Sequence, residues 1–138
     1  MLDLKFAVEK EDYANAGKVS SQIKNTLKQL GVSADVLRRI AISCYEAEIN
    51  MIIHSNGGEI MLSLSADGKC ELTFKDCGPG IEDLEKAMTP GWSTAKDRAR
   101  EFGFGAGMGL PNIKRVSDEF SIQSSIEGTT LVLGFTVL

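Results

Sequence analysis

The chain has 138 residues, 43% apolar and 25% charged, with a formal net charge of −4. That length suits one domain over residues 1–138 with one core, and the acidic balance argues against a nucleic-acid or anionic-membrane binder. The one histidine, His54, excludes a multi-histidine metal site, and Cys44, Cys70 and Cys77, odd in number and without metal-type spacing, point to a reducing cytoplasm.

No apolar run reaches transmembrane length, and Asp3, Lys5 and Glu9 interrupt any leader-like pattern at the amino terminus. Leu2, Leu4, Phe6 and Val8 alternate with Asp3, Lys5 and Ala7, which predicts a half-buried strand. From about Tyr13 to Leu30, Ala16, Val19, Ile23, Leu27 and Leu30 recur at helical spacing, an amphipathic helix stopped by Gly31. Ser33 is placed to cap a second helix, about Ala34 to His54. Its apolar residues lie nearly all round, so it is expected to be largely buried.

Asn56-Gly57-Gly58 turns the chain into strands at about Glu59–Ser65 and Cys70–Lys75, joined by the hairpin signal Asp67-Gly68. A short helix is expected at about Glu82 to Met88, and no period is visible from Thr89 to Phe102. A helix over Pro111 to Asp118 and strands at about Glu119–Ser125 and Thr129–Val137, linked by Glu127-Gly128, complete the chain. Hairpins dominate and helices come in groups. The expected fold is therefore an α+β two-layer sandwich, a mixed, mostly antiparallel sheet covered on one face by helices.

Three stretches carry chemistry. In Gly103-Phe104-Gly105-Ala106-Gly107-Met108-Gly109-Leu110, glycine alternates with larger residues immediately before a helix. Glycine brings no Cβ, so the backbone can approach an anion closely, and the helix start adds unpaired N–H groups and the positive dipole end. A phosphate cradle and a plain surface loop both fit that run. Glu46 and Asn50 lie one turn apart on the second helix, sharing a face with Ile42, Ile49 and Ile53. A desolvated carboxylate can deprotonate a hydroxyl or water, and an asparagine oxygen can ligate Mg²⁺; a satisfied core pair is the alternative. Glu48, on the opposite side, competes for the role of base. Asp76 ends a strand before Gly78-Pro79-Gly80, where its carboxylate could accept from an exocyclic amine or simply serve the turn. Thr129, opening the last strand, could add a hydroxyl.

Together, in this order, these stretches resemble the GHKL or histidine-kinase-like ATPases with a Bergerat nucleotide-binding fold. Glu46-x-x-x-Asn50 resembles the family's N box, Asp76-x-Gly78-x-Gly80 its first glycine box, Gly103-x-Gly105-x-Gly107-Met108-Gly109-Leu110 its second, and Gly128-Thr129 its last motif. The resemblance implies ATP and Mg²⁺, with Asn50 on the metal, Asp76 on adenine, the second glycine box on the phosphates, and Gly78, Gly80 and Thr129 among the nucleotide-binding residues. Residues 89–102 would form the ATP lid.

Sensor histidine kinases carry a phosphoacceptor and dimerisation region, and gyrase-like members a transducer domain, neither of which is expected here. Glu46-x-x-x-Asn50-x-Ile52-Ile53-His54 is most similar to the bacterial anti-sigma-factor serine kinases and their switch-kinase relatives, with Gly91-Trp92-Ser93-Thr94 and Gly109-Leu110-Pro111 closer to the latter. The resemblance implies that Glu46 is the base activating a serine on a small anti-sigma-factor-antagonist-like protein. A sigma factor and a second copy of the chain are further candidate partners. Lys114, Arg98 or Arg100 could add a positive contact, and His54 is assigned to packing at the helix end. A nucleotide-gated switch that grips its partner without phosphorylating it remains an alternative.

Overall fold

A computed structural model describes residues 2–78, 88 and 109–137. The short helix expected before Met88, the segment 89–102, and Gly80, Arg98, Arg100, Gly103, Gly105, Gly107 and Met108 lie outside the described residues. In chain order the described elements are β1 (Leu2–Val8), a 3₁₀ turn (Tyr13–Asn15), α1 (Lys18–Gln29), α2 (Ala34–His54), β2 (Gly58–Leu64), β3 (Lys69–Asp76), α3 (Gly109–Val116), β4 (Glu119–Ser125) and β5 (Gly128–Thr136).

The five strands form one sheet in the order β1-β2-β3-β5-β4. Every pairing is antiparallel, so among the described strands the sheet is not mixed. Register follows from the alternation of side chains. Leu4, Leu62, Leu72, Leu133 and Phe120 stand opposite one another across all five strands, and Phe6, Ile60, Phe74, Leu131 and Ile122 form the next row. These rows meet Ile23, Leu27, Ile40, Cys44, Ile52 and Ile113 from the helices in one core. The intervening row, Lys5, Met61, Thr73, Val132 and Ser121, lies on the other face. A one-residue slip would exchange the two faces, so burial pins the register.

The helical layer departs from the periodicity in three places. The segment predicted as one helix from Tyr13 is broken at Gly17, which takes φ 90° and serves as N-cap of α1. Its position before the Val19–Ile23–Leu27 stripe was the signal for that break. Ser33 does occupy the N-cap of α2, but its side chain makes no capping hydrogen bond. Helix α2 is also not buried all round, because Ile42 and Tyr45 are exposed. At the other end of α1, Gly31 takes φ 87°. Its N–H reaches the Lys28 carbonyl at 3.1 Å and the Val32 N–H reaches that of Leu27 at 3.2 Å, a Schellman ending.

Helix α2 packs along both α1 and α3. Arg39 ties the start of α2 to the end of α3: its Nη1 donates to the Val116 carbonyl and to Asp118 Oδ1, both at 3.0 Å. Asp118 Oδ2 in turn accepts the Thr136 N–H of β5 at 2.9 Å.

Candidate functional site

Asn50 lies in the last turns of α2, and α3 begins against it. A Cβ built on Gly109 would sit 3.0 Å from Asn50 Nδ2 and 3.1 Å from Oδ1. A side chain at this position would press on the Asn50 amide, which would have to shift by a few tenths of an ångström. Gly109, the last glycine of the run and the first residue of α3, thus lies beside the asparagine one turn beyond Glu46. Leu110, the next residue of the run, is buried and holds α3 on the core.

Glu46 and Glu48 are separated by a single residue yet have opposite environments, as alternate positions on a helix face different ways. Glu48 is 2% exposed. Its carboxylate accepts the N–H groups of Gly17 (3.2 Å), Val19 (3.3 Å) and Ser20 (3.0 Å), the otherwise unpaired donors at the start of α1. Burial pushes its pKa up, and the backbone bonds pull against that. Glu48 is engaged in the fold and does not compete for the role of base.

Glu46 is half-buried, and among the described residues its carboxylate accepts no hydrogen bond and pairs with no cation. Burial alone raises its pKa. Of the isoleucines expected on its face, Ile49 is buried, Ile53 half-buried and Ile42 exposed, so the carboxylate stands at the rim of an apolar surface. His54 is the last residue of α2, half-buried, and burial lowers its pKa, in keeping with packing at a helix end.

The third group comes from the sheet. Asp76 is the last residue of β3, and the antiparallel pairing of β3 with β5 sets it beside the start of β5. Its Oδ1 accepts the Thr129 N–H at 2.8 Å. Burial raises the Asp76 pKa against the lowering effect of that bond. The Thr129 hydroxyl is 2.8 Å from that of Ser124 on the edge strand β4, a partner the sequence did not announce. Two glycines permit the close approach here. A Cβ on Gly128 would strike the Asp76 carbonyl, and one on Gly78 would lie 2.6 Å from the Ile126 carbonyl. The Gly78 N–H donates to the Glu127 carbonyl at 2.6 Å, fastening the β4–β5 turn to the end of β3.

Helix α2 with the start of α3 therefore presents a half-buried carboxylate and an amide, and the β3–β5 edge a second half-buried carboxylate. Lys114 is an exposed residue of α3. Among the described residues, no group of three or more histidine, cysteine, aspartate or glutamate side chains could hold a metal ion. No helix among them is long and apolar enough to cross a membrane.

The chain is similar to several known proteins. The serine/threonine-protein kinase RsbT of Bacillus subtilis (strain 168) is 36% identical over 112 residues, 78% of each chain. An anti-sigma F factor of Caldanaerobacter subterraneus is 32% identical over 140 residues, covering 96% of this chain and 90% of that one. Among solved structures, the RsbU and RsbW domains of Rv1364c from Mycobacterium tuberculosis superpose with a TM-score of 0.69 at 18% identity, covering 99% of this chain and 33% of that longer one. The SiaB–SiaC complex from Pseudomonas aeruginosa gives 0.61 at 14% identity, covering 96% of this chain and 88% of its match. The family profile described as the histidine kinase-like ATPase domain matches residues 10–135, and the chain belongs to that family.

Proposed function

We propose that the protein is an ATP-dependent protein serine/threonine kinase that phosphorylates a serine on a small regulatory protein of the anti-sigma-factor-antagonist type. The observation that carries this reading is the close approach of Gly109 to Asn50 at the start of α3, one helical turn from Glu46, whose carboxylate has no partner among the described residues. The family supports ATP as the phosphoryl donor. The kinase and anti-sigma-factor relatives support a protein acceptor. With free thiols among the described cysteines, the cytoplasm is the proposed compartment.

In this reading the Asp76 carboxylate accepts from the exocyclic amine of adenine, held in orientation by Thr129. The first turn of α3 offers N–H groups and its positive dipole end to the phosphates. Asn50 fits a Mg²⁺ that completes its shell with phosphate and water; the metal would neutralise charge on the transferring group. Glu46 receives the proton of the acceptor serine as its oxygen bonds to the γ-phosphorus, and the bond from that phosphorus to the ADP oxygen breaks. A carboxylate with a raised pKa is a better proton acceptor than a solvated one.

Incubation with radiolabelled ATP, Mg²⁺ and candidate antagonist proteins tests the reading. Phosphoserine should form with the wild type and fall roughly 100-fold or more with Glu46→Ala. Undiminished transfer by that variant would refute the role of Glu46. Nucleotide-dependent partner binding without any phosphoserine would instead identify a switch that does not catalyse.

A further inference from the structure

The start of α3 is useful only if it stands at the right height beside Asn50, and the contacts that set this height lie at the helix's other end. Helices α2 and α3 run past each other, with Gly109 against Asn50 at one end and Val116 with Asp118 against Arg39 at the other. Arg39 precedes Asn50 by about three turns, roughly 16 Å along α2. Its guanidinium makes two different bonds from one nitrogen, to the last carbonyl of α3 and to the carboxylate just beyond it.

Each partner of this contact is itself fixed. Arg39 lies over the Phe135 ring, 5.9 Å from its centre, and its Nε is 3.6 Å from Asp35. Asp118 receives the Thr136 N–H from β5, and its own N–H donates to the Gly134 carbonyl at 3.1 Å. The Thr136 N–H and the neighbouring guanidinium hold the Asp118 carboxyl below the usual carboxylate range. The contact therefore joins α2, α3 and β5, at the opposite end of the α2–α3 pair from the Gly109–Asn50 approach.

We infer that Arg39 and Asp118 are positioning residues for the phosphate end of the nucleotide site. They set the axial register of α3 against α2 and hence the placement of the Gly109 turn against Asn50. The inference rests on the nucleotide reading above. A helix that slips by one residue moves its start by about 1.5 Å, more than a hydrogen bond to phosphate tolerates. Misplacement of about 1 Å by a remote substitution is known to cost up to about 100-fold in function. The adenine end is held separately, by Asp76 and Thr129 at the β3–β5 edge. Loosening the clamp should therefore weaken phosphate contacts and spare base contacts.

The test is calorimetric binding of Mg·ATP and of adenosine to the full chain and to Arg39→Met, Arg39→Lys and Asp118→Asn, with a thermal melt of each. Mg·ATP affinity should fall about tenfold in Arg39→Met and Asp118→Asn. Adenosine affinity should stay within about twofold, and Arg39→Lys should recover part of the loss because it keeps a cationic donor. Should Arg39→Met fail to fold, the other two variants carry the same comparison, since each keeps a hydrogen-bonding side chain. Equal losses for both ligands would mark a merely structural pair and overturn the inference. Unchanged Mg·ATP affinity in a folded variant would overturn it as well. Wild-type protein that binds neither ligand would remove the nucleotide reading itself, and the inference with it.

Discussion

Two carboxylates on one helix, Glu46 and Glu48, show how the same residue type meets opposite environments. Glu48 faces α1 and accepts three backbone N–H donors that have no other partner among the described residues. Glu46 faces outward beside Asn50 and, among the described residues, has no donor. Both are partly stripped of water, and both have raised pKa values. Among the described residues, only Glu48 is compensated. An uncompensated carboxylate opposes folding and persists where something other than the fold uses it.

The largest effect that would sharpen this contrast is on stability. Glu48→Ala strands the N–H groups of Gly17, Val19 and Ser20 and should cost about 3 kcal/mol in urea denaturation. A loss below about 1 kcal/mol would mean that the α1 start does not depend on Glu48. Next comes the activity loss of Glu46→Ala, with little change in the unfolding midpoint, the reverse of the pattern at Glu48. If both variants lost stability alike, the contrast would collapse.

Asp76→Asn extends the comparison to the sheet. The amide oxygen can keep the Thr129 N–H, but the acceptor charge is gone, so adenine-nucleotide affinity should drop about tenfold by calorimetry. Retained affinity would remove Asp76 from the adenine contact.

The smallest effect is a pH dependence. Burial holds the Glu46 pKa above its unfolded value, so over that window the folded chain binds more protons. Stability therefore falls as pH rises through the window, and the cost is complete above both values. Glu46→Gln removes this term while Asp76 and Glu48 remain common to both proteins. The stability advantage of Glu46→Gln should be near zero at about pH 4 and grow as pH rises. An advantage independent of pH would show that Glu46 is solvated like a surface residue.

Much of the fold was legible in one dimension because strands announce themselves locally. The alternation from Leu2 to Val8 and the glycine-bearing turns at Asp67-Gly68 and Glu127-Gly128 set the strands to within a residue or so of their observed ends. The break at Gly17 was misread, because a stripe of apolar residues continues through it and only the glycine marks the interruption. The motif order made Glu46, Asn50, Asp76, Gly109 and Thr129 candidates for one site. Their family was legible for the same reason, since spacing along a helix and at strand ends is carried by the chain itself.

Partnership was not legible. Nothing in the sequence says that Glu48 closes over the start of α1, that Ser124 meets Thr129, or that Arg39 reaches Val116 and Asp118. Those pairs are separated by up to 79 residues in the chain. Local propensity and periodicity act over a few residues, so they determined which elements form and which side chains share a face. Which of two neighbouring glutamates meets the backbone donors is decided only when α1 packs against α2. Desolvation and hydrogen bonding depend on what approaches from the other elements, and tertiary packing alone brings it there.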